Sequence, residues 1–178
     1  MRAESIARNY AEALFALAEK GGEVDAWGEW IEALSGAIVA SPRVEAALLS
    51  PKVTKAAKTA LLTGAAAGAP SAFKLFLAAV VKRGRQRLLP AMANEFHALN
   101  DVRLNRVRAG VILAREPDEQ LKGRIKRALE EQLGKEVLPA YSVDPEILGG
   151  AIVRLGDRVL DGSVKRRIVR LRRQLLSR

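Results

Sequence analysis

Apolar side chains recur every three or four residues through the first hundred positions, which is the spacing of amphipathic helices. The first predicted helix covers residues 5–19, with Ser5 as its expected N-cap, and Gly21-Gly22 ends it. Its apolar positions form two adjoining stripes, a wider arc than one bundle face needs. Five more helices are predicted at 24–38, from Ser41-Pro42 onward, at 53–62, at 71–81, and after Gly84 to about 103.

The fifth predicted helix, residues 71–81, is apolar on nearly every side. Two explanations stay open. Such a helix can be the centre of a bundle, buried by its neighbours. It can also share an exposed groove with the first helix and accept an amphipathic helix from another chain. On the second explanation, an arginine at Ala11 is expected to leave the fold intact and to abolish binding of that helix.

The hydrophobic period then changes from helical to alternating. Residues 107–113 alternate as in a strand with one buried face. Pro117 is the expected first residue of a helix that Gly134 closes. A second strand is predicted at 137–143, at a sheet edge or bulged, because Pro139 has no N–H to donate to a central ladder.

The last third of the chain predicts a hairpin that leads directly into a basic helix. Residues 151–155 and 158–160 are strand-like and are separated by Gly156-Asp157, a loop with glycine first, as a type II′ turn requires. Ser163 is the expected N-cap of the final helix. Four apolar residues form one stripe on that helix, Val164, Ile168, Leu171 and Leu175.

These elements predict a mainly α protein with a smaller α/β domain. The N-terminal six-helix bundle spans residues 1–105, and a small C-terminal domain of strands and helices spans residues 106–178. The chain has no cysteine, which excludes disulfides and thiolate chemistry. No apolar run is long enough to cross a bilayer, and the N-terminus resembles neither a secretory signal nor a transit peptide.

Candidate chemistry is sparse. His97 is the only histidine and lies on an amphipathic helix without a cysteine or regular carboxylate cluster at ligand spacing, so a structural role is favoured. Gly149-Gly150 leads into a strand, whereas phosphate loops lead into a helix. The sequence therefore predicts no catalytic, cofactor-binding or metal-binding residues.

The charge is distributed unevenly. Residues 1–105 hold 13 basic and 10 acidic side chains, and the remainder holds 17 and 10. A basic C-terminal half indicates an acidic partner or surface. One alternative is a basic helical adaptor that binds nucleic acid, although aromatic residues make up only 4% of the chain and offer no base-stacking platform beside the charge.

The C-terminal sequence also resembles one known family. The pattern D-P-x-I-L-G-G-x-x-V-R-x-G-D-x-V-x-D-G-S-V, followed by R-L-R-R-Q-L, is similar to the delta subunit of bacterial F-type ATP synthases, whose mitochondrial counterpart is the oligomycin-sensitivity-conferring protein. The segment Ala7-Arg8-Asn9-Tyr10-Ala11-Glu12-Ala13-Leu14-Phe15 is similar to that family's first helix. The residues that form the C-terminal signature are Asp144, Pro145, Gly149, Gly150, Gly156, Asp157, Asp161, Gly162 and Ser163.

The resemblance implies a non-catalytic stator subunit of the proton-translocating ATP synthase, which links the catalytic head to the peripheral stalk so that rotation is coupled to ATP synthesis. It implies a peripheral position on the cytoplasmic face of the bacterial plasma membrane, with membrane association only through the complex. No cofactor, small-molecule substrate or nucleic acid is expected as a partner.

Two contact sites follow from the resemblance. The N-terminal helix of an alpha subunit is expected in a groove between the first and fifth helices, and the sequence does not separate groove residues from core residues there. The candidates are Tyr10, Ala11, Leu14, Phe15, Phe73, Phe76, Leu77 and Val80. The C-terminal end of the b-subunit stalk is expected at the basic last helix, with Arg166, Arg167, Arg170 and Arg173 as candidates.

Overall fold

The computed structural model describes residues 2–156 and 158–176. Helices fill most of the first hundred positions and a four-stranded sheet lies in the remainder, so the chain is mainly helical with a small sheet, as the sequence predicts. The chain divides into two compact units, Met1–Asn100 and Asp101–Arg178. The domain boundary between residues 105 and 106 stays a prediction.

Among the described residues, six α-helices belong wholly or mainly to the first unit. They are α1 (Arg2–Gly21), α2 (Val24–Ala40), α3 (Pro42–Leu49), α4 (Lys55–Ala65), α5 (Ser71–Lys82) and, after a 3-10 turn at Gln86–Leu88, α6 (Leu89–Arg103). Ser41 caps α3 by accepting a hydrogen bond from the Val44 N–H at 3.4 Å. Ser5 is not the N-cap, because the good helix formers before it extend α1 back to Arg2 and place Ser5 inside the helix. Thr54 caps α4 and moves its start to Lys55, beyond the predicted residue 53.

The core of the first unit is built from aliphatic residues and edge-to-face aromatic pairs. Phe15 of α1 meets Phe96 of α6 with ring centroids 5.4 Å apart, and Trp27 of α2 meets Phe73 of α5 at 5.6 Å. Polar contacts also join helices distant in sequence. Gln86 Nε2 donates to the Leu48 carbonyl at 2.9 Å, which satisfies an acceptor in the last turn of α3.

The second unit contains a mixed sheet in the order β2-β1-β3-β4. Its strands are β1 (Arg106–Leu113), β2 (Glu136–Val143), β3 (Ala151–Leu155) and β4 (Arg158–Asp161), with α7 (Glu119–Leu133) between the first two and α8 (Val164–Leu176) at the end. β1 and β2 are parallel, and the other neighbours are antiparallel. β2 lies at an edge, which suits Pro139.

One face of this sheet is buried against α7. Ala109, Val111 and Leu113 alternate inward from β1 and share a core with Leu129 of α7. The alternation matches the sequence prediction. Pro117 is not the first helical residue, however. Asp118 intervenes as the N-cap, because its carboxylate accepts a hydrogen bond from the Leu121 N–H at 2.7 Å.

Candidate partner-binding surfaces

The predicted groove residues of α1 divide into buried and half-buried members. Ala11 and Leu14 are 0% exposed and belong to the core of the first unit. Tyr10 and Phe15 are half-buried and pack against the edge of that core. An arginine at Ala11 would therefore bury an unpaired charge, so the expectation that this change leaves the fold intact is wrong.

The predicted groove residues of α5 are all buried. Phe73, Leu77 and Val80 are 0% exposed, and Phe76 is 8% exposed. The helix is nevertheless not buried all round, because Leu75 on its opposite side is 71% exposed. Sequence reasoning missed Leu75 as a surface residue. The available signal was its position one turn after Ser71 and two turns before Lys82, on the polar side of the helix.

A contact between Tyr10 and Phe76 joins α1 to α5. Their rings meet edge to face with centroids 6.2 Å apart. On α1, Ala13 and Leu17 follow Tyr10 at helical spacing, and both are exposed, Leu17 to 42%. On α5, half-buried Ala72 and exposed Ala79 flank Phe76 in the same way, with Leu75 beside them. We call Ala13, Leu17, Ala72, Leu75 and Ala79 the α1/α5 strip.

The end of the α1/α5 pair near the start of α1 is positively charged. The guanidinium carbon of Arg85 lies 5.4 Å from the centroid of the Tyr10 ring, a cation–π distance. A depression of about 270 Å³ beside it is lined by Ile6, Gly84, Arg85 and Arg87 among others. Since Tyr10 adjoins Phe76 and Ile6 adjoins Gly84, the two helices run antiparallel. The arginines therefore lie beyond one end of the strip.

The C-terminal signature is a packed structural unit. Gly149-Gly150 passes directly against the segment that starts α8, where the Val164 N–H donates to the Gly149 carbonyl at 3.0 Å. Gly150 has a φ of +77°, and a Cβ atom there would lie 2.5 Å from the Gly162 carbonyl oxygen. These glycines therefore allow two backbone segments to touch.

Other signature residues close the local turns. The Asp144 carboxylate accepts the Glu146 N–H at 2.9 Å across Pro145. Ser163 Oγ accepts the Arg166 N–H at 3.2 Å, the cap geometry predicted for α8. Hydrogen bonds from the Ser163 side chain and backbone lower the pKa of the Asp161 carboxyl. Gly156 has a φ of +56°, which primed hairpin turns need at their first loop position. Asp157 lies outside the described residues.

Helix α8 is open to solvent along its whole length. None of its residues is buried, and its predicted stalk-binding residues, Arg166, Arg167, Arg170 and Arg173, are all exposed. Its first turn is attached to the second unit through the Ser163 cap and through Lys165 Nζ, which lies 3.3 Å from the Glu146 carboxylate. The apolar stripe predicted from the sequence is also exposed, with Leu171 at 58% and Leu175 at 76%.

His97 packs edge to face against Phe96, and its buried Nε2 lies 3.4 Å from the carboxylate of the exposed Glu32. Residues 2–156 and 158–176 contain no group of three or more acidic, histidine or cysteine side chains that could hold a metal ion. Within the same residues, no helix is long and apolar enough to cross a membrane.

Comparison with known proteins identifies the family. The model of the ATP synthase delta (OSCP) subunit family matches residues 6–175. The chain belongs to this family. An ATP synthase subunit delta from Gemmatimonas aurantiaca is 39% identical over 98% of this chain and 95% of the relative. One from Anaeromyxobacter dehalogenans is 36% identical over 96% and 97%.

A solved structure has the same fold. A chain in the cryo-EM structure of the Toxoplasma gondii mitochondrial ATP synthase hexamer matches with a TM-score of 0.68 at 24% identity. The match covers 96% of this chain and 97% of that chain. Family membership makes the protein a non-catalytic stator component of F-type ATP synthase. The alternative of a nucleic-acid adaptor is not supported by these comparisons.

Proposed function

We propose that the first unit grips the catalytic head of the ATP synthase by binding an amphipathic helix along the α1/α5 strip. The occupant is the N-terminal helix of an alpha subunit, as the family resemblance implies. The observation that carries the proposal is the exposure of Leu17 and Leu75, to 42% and 71%, on either side of the Tyr10–Phe76 contact. Helix-in-groove binding uses aliphatic anchors of this kind. In this proposal the first unit is a six-helix bundle.

The division between core and contact residues follows from burial. Ala11, Leu14, Leu77 and Val80 are 0% exposed, so they hold α1 and α5 in place and do not touch the partner. Half-buried Tyr10 and the nearly buried Phe76 supply the floor between the helices. The strip residues supply the sides, and the Arg85 end favours a partner helix that is acidic at its adjoining terminus.

The second contact belongs to the second unit. We propose that the exposed basic helix α8 binds the C-terminal end of the b-subunit stalk, which places this chain between head and stalk. Because the chain is bound to the head at one site and to the stalk at the other, the head resists the torque of the rotor, and rotation is coupled to ATP synthesis. We propose that the protein acts at the cytoplasmic face of the plasma membrane and reaches the membrane only through the complex.

A matched pair of variants tests the groove. In Leu75→Asp a carboxylate replaces an anchor that binding would bury, so affinity for a peptide copying the alpha N-terminal helix is expected to fall about 100-fold or more. Leu61→Asp on α4 is the control, because Leu61 is also an exposed leucine, at 43%, and lies outside the strip. Fluorescence anisotropy with labelled peptide measures both. Equal affinities for the two variants and the unmodified chain would reject the groove assignment.

A further inference from the structure

We infer that α8 binds its partner as one helix of a short coiled coil. This rests on the proposed stalk contact and gives that contact a heptad register. Val164, Ile168, Leu171 and Leu175 follow spacings of four, three and four residues. This is the d-a-d-a pattern of a heptad seam. All four are exposed, from 38% at Val164, whose side chain lies against Gly149, to 76% at Leu175, so most of the seam has no partner within the described residues.

The width of the seam favours a helix as its occupant over a lipid surface. At about 100° per residue, the four seam residues fall within about 60° of arc, whereas apolar faces that cover a core or enter a bilayer are about 100° wide or more. Val169 and Leu176 are also exposed, yet Lys165 and Arg172 separate them from the seam. The helix also carries no aromatic residue of the kind that anchors interfacial helices.

The charges beside the seam specify an acidic partner. With Ile168 and Leu175 at a, the flanking e positions are Arg172 and Lys165, of which Lys165 also lies 3.3 Å from the Glu146 carboxylate, and Arg167 occupies a g position. All three are exposed. A second copy of this chain would place cations against cations, which disfavours self-association. The occupant is therefore a helix with an apolar a/d seam and glutamate or aspartate at its e and g positions.

This register separates the arginines of α8 into two sets. Arg167 and Arg172 flank the seam, whereas Arg170 and Arg173 lie at c and f on the opposite side. Arg166, at f, lies 3.8 Å from the Asp161 carboxylate and belongs to the local structure of the helix start. Only the seam-flanking set should determine partner choice, although all these side chains carry the same charge.

The test uses the full chain and two synthetic three-heptad peptides with isoleucine and leucine at a and d. One carries glutamate at e and g, and its twin carries lysine. We expect the acidic peptide alone to bind, and binding to weaken about 10-fold or more in Arg167→Glu/Arg172→Glu. The control double variant Arg170→Glu/Arg173→Glu has the same net charge and should lose less than about 3-fold. The lysine peptide should bind the seam-flanking variant.

Several outcomes would overturn the inference. Equal losses of affinity for the acidic peptide in the two double variants would mean that the net charge of α8 matters and the heptad position of each arginine does not. The seam would instead belong to a membrane surface if the unmodified chain bound vesicles of anionic lipid, Leu171→Ser did not, and the acidic peptide failed to bind. Copurification of the stalk subunit with all variants would overturn the coiled coil and leave the proposed function standing. Failure of the unmodified chain to retain the stalk subunit would instead reject the proposed stalk contact.

Discussion

Replacement of Gly150 by alanine should destabilise the second unit through two separate effects. Its φ of +77° is a left-handed conformation that costs an L-residue about 1–2 kcal/mol. The new Cβ would also lie 2.5 Å from the Gly162 carbonyl oxygen, which belongs to a backbone that cannot rotate away. Overpacking of this kind costs about 1–3 kcal/mol. The expected total is a loss of roughly 2–5 kcal/mol in the free energy of opening.

Gly156→Ala is the matched control, because Gly156 has a similar φ of +56° and its Cβ would meet nothing within 4 Å. It should show only the conformational cost of about 1–2 kcal/mol. Hydrogen exchange at the β3 amides of the full chain measures the opening free energy in each variant. If Gly150→Ala costs no more than Gly156→Ala, the close approach to Gly162 is not what requires glycine at position 150.

Two further results are expected. Leu77→Ala should lower the free energy of unfolding by about 2–5 kcal/mol, because Leu77 is 0% exposed, whereas Leu75→Ala should change it by less than about 0.5 kcal/mol. Denaturant titration followed by tryptophan fluorescence measures both free energies. Similar losses in the two variants would contradict the assignment of Leu75 to the surface. Hydrogen bonds from Ser163 lower the pKa of Asp161 below its usual 3.8, so the charged carboxylate stabilises the fold above that pH, and the contribution is lost as the pH falls through the lowered pKa. Unfolding measured from pH 2 to 6 should show a steeper acid loss in the unmodified chain than in Asp161→Asn, and parallel curves would contradict this.

The sequence predicts the elements of this chain well where their signals are local. The cap at Ser163 and the glycine at the first loop position of the hairpin depend on neighbours a few residues away, and the structure has both. The predicted start of α1 at residue 5 is wrong, because the helix formers before Ser5 outweigh a possible cap at Ser5. Pro117 is predicted at the first helical position, but it precedes the N-cap Asp118, and the helix begins two residues later, at Glu119.

The candidate site was harder to predict because composition does not reveal burial. Leu75 and Leu77 are identical side chains on one helix, yet one is 71% exposed and the other 0%. The direction of the core distinguishes them, and that direction depends on how α1, α2 and α4 pack against α5. The contact of Gly150 with Gly162 likewise depends on the tertiary structure, although the two glycines stand out in the sequence as signature residues.

The most direct test of the stator account measures coupling in membranes from which this subunit has been removed. Without the chain, the remaining complex should hydrolyse ATP without pumping protons, and the unmodified chain should restore ATP-driven acidification, followed with a pH-sensitive fluorescent dye. Leu75→Asp should not restore it, although ATP hydrolysis continues. Full proton pumping without the chain, or with Leu75→Asp in place of the unmodified chain, would contradict the account.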